Sequence, residues 1–291
     1  MATITAKQVK ELRDRTGAGM MDSKKALVKA EGDIEKAIDI LRETGVAKAA
    51  KKSGRIAAEG LAEFAVDGNH AVLTEINSET DFVASNDKFL KLVHDVTAAI
   101  LAAKPANVAA ALEAPLNGST IGAAITSLTA VIGEKITLRR FTLLTKTDDE
   151  VFGTYKHNGG AIVAVTTLKG GNETAAKNIA MHVAAINPEF LNKDSVPAAE
   201  LERQTKVFTA ETEKEGKPAK IVPKIVSGRV NKYLSEICLV DQPYVKDSDK
   251  SVEAYAKSEG ATVVGFTRYE VGEGIEKRQE DFAAEVREQM K

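Results

Sequence analysis

The chain has 291 residues, 43% hydrophobic and 28% charged, with a net charge of −2. These values fit a soluble globular protein of two or more domains and lack the basic imbalance that general nucleic-acid binding requires. A single cysteine, Cys238, excludes an internal disulfide; with no signal-type amino terminus and no bilayer-length apolar run, the expectation is a cytoplasmic protein with Cys238 as a buried small side chain.

Thr5 and Gln8 form a capping-box pattern ahead of an apolar stripe at Val9 and Leu12. Gly17 and Gly19 break that helix, and Met20 and Met21 stand beside a second start at Asp22 and Ser23. Gly32 closes the second helix and Asp33 caps a third, whose Ile34, Ala37, Ile38 and Leu41 share one face until Gly45 stops it. The adjacent methionines read equally well as core filling or as a soft contact surface. Lys48–Arg55 (KAAKKSGR) reads as a solvated basic tether, since no aromatic residue interleaves with its lysines.

Two β-prone runs, 61–66 and 71–76, flank an aspartate-glycine turn at Asp67–His70 and predict a hairpin. A helix over 86–103 is predicted by Phe89, Leu90, Val93, Val96 and Ile100, with Ser85 and Asn86 as cap-type residues. Between hairpin and helix lies Ser78–Phe89 (SETDFVASNDKF), so Thr80, Asp81, Phe82 and Val83 occupy a strand-to-helix connection. On composition alone Phe82 packs back under its own loop, as most phenylalanines do. Another helix through Ile121, Ala124, Ile125, Leu128 and Val131 ends near Gly133, and a strand follows through Ile136, Leu138 and Arg140.

The pattern then repeats. Runs at 151–155 and 161–168 around the HNGG turn predict a second hairpin, and Ala176, Ile179, Ala180 and Val183 a second helix. VHDVTAAI around His94 and MHVAAI around His182 suggest an internal duplication, two hairpin-plus-helix subdomains facing each other across a shared core. Residues 196–216 and 217–233 read as a charged helical hairpin turned at Gly216, with Pro223 kinking its second arm or shifting the start of that arm. A strand over 261–271, the GEGIEK segment and an amphipathic helix with Phe282, Ala283 and Val286 close the chain. The domain expectation is a helical module with its linker (1–55), a first core subdomain (56–146), a second (147–271) interrupted by the hairpin at 190–235, and a C-terminal module (272–291).

No catalytic constellation assembles from these residues. His70, His94, His157 and His182 are scattered; the helical pair reads as core or subdomain contact, and the turn pair as exposed. There is no Walker-type loop, nucleophile elbow or paired-cysteine motif, so the expectation is no enzyme, no cofactor, no metal and no GTP bound by the chain itself.

Several motifs in order give the chain a resemblance. TGAGMMD with KKAL, KAAKK, TDFV, VIGE at Val131–Glu134, IAMHVAA, the inserted helical arm, and RYEVGEGIEK before DFAAEV resemble the bacterial elongation factor Ts family over essentially the full length. The resemblance implies an α+β fold: a ubiquitin-associated-like three-helix module, two duplicated subdomains each with a small antiparallel sheet and helices, an inserted helical hairpin and a C-terminal helix. It implies a translation elongation factor that binds elongation factor Tu, GDP-bound and nucleotide-free, and promotes GDP release by displacing magnesium so that GTP can rebind. Thr80, Asp81, Phe82 and Val83 would then disturb the magnesium site, with Phe82 inserted between helices of the nucleotide-binding domain. Leu12, Arg13, Met20 and Met21 would touch that domain from the amino-terminal module. Ile132, Gly133 and His157 would complete the contact, and Gly272, Gly274 and Ile275 would reach it from the tail. The loop at Val245 and Lys246 corresponds to a contact with another Tu domain that is more apolar in the family. The helical hairpin is the candidate surface for a homodimer or a two-plus-two complex; neither nucleic acid nor membrane is an expected partner. A competing class is an adaptor that binds peptides through the three-helix module, which predicts that residues 1–55 suffice for activity. A hydrolase or metal enzyme comes third.

Overall fold

The computed structural model describes residues 4–276. The chain divides into two compact units, one of residues up to 65, 74–143 and from 269 on, the other of residues 66–73 and 144–268.

In the first unit, α1 (Ala6–Thr16) opens on the predicted capping box: the Gln8 amide donates to the Thr5 hydroxyl, and the Thr5 amide donates back to the Gln8 side chain. Gly17, with φ +69°, supplies the left-handed residue that ends this helix. With α2 (Met20–Lys29) and α3 (Ile34–Ala50) it encloses a small core of Leu12, Ala26, Leu27 and Ala37. Strands β1 (Glu59–Asp67) and β2 (His70–Ser78) are joined by two residues, so they run antiparallel. The chain continues as α4 (Asp81–Ala84), α5 (Asp87–Ala103) capped by Asn86, and α6 (Val108–Leu112). A tight hairpin of β3 (Pro115–Leu116) and β4 (Ser119–Thr120) then leads into α7 (Ile121–Ile132) and β5 (Thr137–Thr145). The sheet order is β1-β2-β5. Helix α5 buries Phe89, Val93, Val96 and Ile100, and a bond of 2.6 Å between the buried hydroxyls of Thr74 and Thr97 ties it to β2.

Two expectations fail here. Gly45 does not stop the third helix; α3 runs on through Ala50, and Gly45 is buried where a Cβ would come within 3.3 Å of the Ala130 Cβ on α7. The glycine thus answers to helix packing, and the start of the supposed tether is helical, with Lys48 paired to Asp22 at 2.7 Å. His94 is not a core residue: its side chain is 77% exposed, because the step of about 100° from Val93 turns it out of the apolar stripe.

In the second unit, β6 (Glu150–His157) and β7 (Ile162–Gly170) pair antiparallel from Glu150↔Lys169 to His157↔Ile162. Then come α8 (Glu173–Ile186), α9 (Ala198–Lys214), α10 (Val222–Ile237), β8 (Pro243–Tyr244), β9 (Asp247–Ser251), α11 (Val252–Ser258) and β10 (Ala261–Glu270). The larger sheet has the order β10-β7-β6, and its core includes Ala164, Leu168, Ile179, Val183, Leu239 and Val263. Helices α9 and α10 form the expected hairpin, rooted on Val196, Leu234, Ile237 and Cys238. Pro223 resolves as a shifted start: it is the second residue of α10, where its missing N–H has no helical partner to lose. Cys238 is buried, which pushes its thiol pKa up. The amphipathic helix expected at Phe282–Val286 lies outside the described residues. Among the described residues no helix is long and apolar enough to cross a membrane.

Candidate partner-docking site around the Thr80–Val83 turn

Strand β2 leaves the sheet at Ser78, and within three residues the chain coils into the single helical turn of α4. Thr80 caps that turn, its hydroxyl oxygen accepting from the Val83 amide at 3.4 Å, while Ser78 Oγ donates to the Thr80 carbonyl at 2.9 Å. Val83 points inward and is buried; Asp81 and Phe82 point outward. Phe82 is 85% exposed, far outside the usual range for a phenylalanine, so the expectation from composition that it packs under its own loop is overturned.

What holds the turn comes from the segment after α7. Gly133 ends that helix with φ +88°, and the following residues face the turn. Glu134 accepts the Thr80 amide at 3.0 Å on one carboxylate oxygen and the Thr80 hydroxyl at 2.8 Å on the other. The neighbouring residues repeat the exchange in reverse: Glu79 accepts the Lys135 amide at 2.5 Å and pairs with Arg55 at 3.2 Å. Lys135 Nζ in turn donates to the carbonyls of Ser53 (2.7 Å) and Arg55 (2.8 Å), fixing the chain between the helical module and β1. Ile132 is half-buried and Gly133 exposed beside this clamp.

Behind the turn lies a second set of bonds. Glu75 on β2 is fully buried and accepts from Arg139 at 2.9 Å, Arg140 at 2.6 Å and the Gly272 amide at 2.8 Å. Burial alone would push its carboxyl pKa up; the Gly272 amide, both guanidiniums and the Asn77 amide together pull it below the ordinary value. Arg139 also donates to the Glu273 carbonyl, and Arg140 lies 4.2 Å over the ring of Tyr269. Gly272 has no room for a side chain, since a Cβ would meet the Ala58 carbonyl at 2.2 Å. These bonds fix the turn of Gly272, Gly274 and Ile275, of which Gly274 is exposed and Ile275 half-exposed.

In the amino-terminal module Met20 and Met21 are 60% and 62% exposed and Arg13 is exposed, whereas Leu12 is wholly buried in the module core. The exposure of both methionines excludes the core-filling reading. His157 belongs to the second unit; it stands exposed at the end of β6, stacked on Tyr155 at 6.2 Å. His182 is buried and bonded on both ring nitrogens. No local sequence pattern marks Glu75, Glu79, Glu134 or Lys135 as site residues; Glu134 closes the VIGE motif, but its partner Thr80 lies 54 residues away.

The model of the family described as elongation factor TS matches residues 79–273. The chain is 62% identical over its full length to the elongation factor Ts of Lacticaseibacillus casei (strain BL23), covering all of that protein as well. It is 55% identical to that of Limosilactobacillus reuteri (strain DSM 20016), again over all of both chains, and 56% identical to that of Pediococcus pentosaceus (strain ATCC 25745 / CCUG 21536 / LMG 10740 / 183-1w), over 100% of this chain and 99% of the other. The chain belongs to the elongation factor Ts family. It is accordingly a translation elongation factor that acts as the nucleotide exchange factor of elongation factor Tu. The match with the family model opens at Glu79 and closes at Glu273, so it takes in the clamped turn and reaches Gly272, the residue bonded to Glu75.

Proposed function

We propose that the chain speeds GDP release from elongation factor Tu by presenting Phe82 as a wedge that disturbs the magnesium site of the partner. The observation that carries this reading is the 85% exposure of Phe82 on a turn clamped at Thr80. An exposed aromatic on a clamped backbone turn has already lost part of the backbone freedom that docking would otherwise remove. Magnesium neutralises nucleotide phosphates, so displacing it loosens their hold. No covalent chemistry by this chain is involved.

One side chain cannot do this alone. Weakening a nucleotide by four decades takes about 5.5 kcal/mol of differential binding, whereas burying a phenylalanine yields about 1.5–3 kcal/mol. The remainder requires a wide contact, for which Arg13, Met20 and Met21, Ile132 and Gly133, His157, and Gly274 and Ile275 supply exposed or half-exposed groups, while the buried Gly272 supports the turn that carries the last two. Leu12, being buried, supports this contact by shaping the module rather than by touching the partner.

The test is Phe82→Ala, with release of a fluorescent GDP analogue from Tu followed by stopped flow. The catalysed rate should fall at least tenfold with an unchanged circular dichroism spectrum, given the loss of about 1.5–3 kcal/mol of burial. A variant that exchanges as fast as the parent refutes the wedge.

A further inference from the structure

We propose that Glu134 is a positioning residue for nucleotide exchange, setting the pose of the turn that carries Phe82. The proposal rests on the wedge reading above. Helix α4 has four residues, too few to hold themselves in helical form, because a first turn fixes several dihedrals for one hydrogen bond. The Phe82 ring, being exposed, gains little support from this chain. Its direction must therefore come from the backbone on either side: the buried Val83 and the cap Thr80.

Glu134 controls that cap. Thr80 has two donors, and both go to the two oxygens of this one carboxylate, at 3.0 and 2.8 Å. An ionised carboxylate only accepts, so it commits the hydroxyl proton to itself and leaves the oxygen lone pairs for the Val83 amide, the bond that starts the turn. Two bonds from one planar group fix rotation as well as distance. The adjoining bond from the Lys135 amide to Glu79 adds a second anchor one residue along each strand of the contact. Without Glu134 the turn would lose its orientation at the base, and Phe82 would have to be ordered during the encounter with the partner.

A residue acting only through the wedge leaves a particular signature. Glu134→Ala should lower kcat for catalysed GDP release about tenfold, as expected for losing a pair of charge-assisted hydrogen bonds. KM for Tu·GDP should stay within about twofold, because the wider contact is untouched and uniform binding is what KM reports. Glu134→Gln keeps one acceptor oxygen and should recover part of the loss. In the double variant with Phe82→Ala, removing Glu134 should cost nothing further, since there is no ring left to aim. The proposal is overturned if Glu134→Ala and Glu134→Gln both exchange at the parent rate while Phe82→Ala is slow. It is equally overturned if the two substitutions multiply in the double variant, or if KM rises with kcat unchanged. A Phe82→Ala protein with parental rates would instead remove the wedge reading, and this proposal with it. Should Glu134→Ala fold poorly, Thr80→Val removes the hydroxyl at nearly constant volume and must show the same fall in kcat.

Discussion

The carboxylate of Glu75 accepts the backbone N–H of Gly272 at 2.8 Å, joining residues 197 positions apart in the chain. The same carboxylate holds Arg139 and Arg140, whose side chains reach on to Glu273, so the buried acid on β2 is the fixed point of the Gly272–Ile275 turn.

Removing that acid should be costly. Glu75→Ala leaves two guanidiniums and a backbone amide without their acceptor, and breaking a buried pair from one side costs about 3–5 kcal/mol. The lower end applies because both arginines keep part of their surface in water. Urea unfolding should show a midpoint reduced accordingly, and Glu75→Gln should lie between the two proteins. Since the folded carboxyl pKa lies below its ordinary value, this stabilisation is present above about pH 4.5 and fades as pH falls through the lowered value. An unchanged midpoint for Glu75→Ala would show that the turn is held by other means.

Gly153 makes a different demand. It lies on β6 under α8, where a Cβ would come within 2.0 Å of the Ala176 carbonyl carbon and 2.4 Å of the Lys177 amide nitrogen. The Thr166 hydroxyl also donates to the Ala176 carbonyl at 2.8 Å, so the backbone of the helix sits directly on the sheet. Backbone cannot swing aside as a side-chain tip can. Gly153→Ala should therefore cost at least the ~1–3 kcal/mol of ordinary overpacking, read as a lower thermal midpoint. Gly68→Ala, with open space around its Cβ position, is the control for a glycine constrained only by its positive φ.

How far the sequence went depends on the range of the interaction. Capping, turns and stripes act over a few residues, so the capping box at Thr5, the β1–β2 hairpin and α5 behind Asn86 were all legible, whereas Pro223 left a kink and a shifted start of α10 equally open. Gly45 misled because a glycine that ends a helix and a glycine that admits a neighbouring helix look alike until Ala130 is in place. His94 misled because its neighbours are apolar, although the helical step turns it outward. The motif at Thr80–Val83 was legible as a connection, and the exposure of Phe82 followed from the family resemblance against the composition, but the carboxylate beneath it was not legible. The clamp depends on Glu134 and Lys135 folding back over more than 50 positions, and no local pattern records that.

The last prediction concerns pH. His182 is buried on α8, with Nε2 2.9 Å from Gln242 Oε1 and Nδ1 receiving the Val245 amide at 3.1 Å. The amide can only donate, so Nδ1 must be bare and the ring neutral, its proton on Nε2 facing the Gln242 oxygen. Burial pushes the pKa below its ordinary value, only partly offset by the bond to Gln242. Between that lowered value and about 6.5, where the unfolded chain titrates, the unfolded state binds more protons. Stability therefore rises with pH across this window and is lost as pH falls through it, by up to about 1.4 kcal/mol per pH unit. Urea titrations at pH 7.5 and pH 5.5 should show a lower midpoint in acid, and His182→Gln, which cannot take the proton, should flatten the difference. If His182→Gln keeps the full pH dependence, the acid sensitivity belongs to another group and the neutral ring between Gln242 and Val245 is not its source.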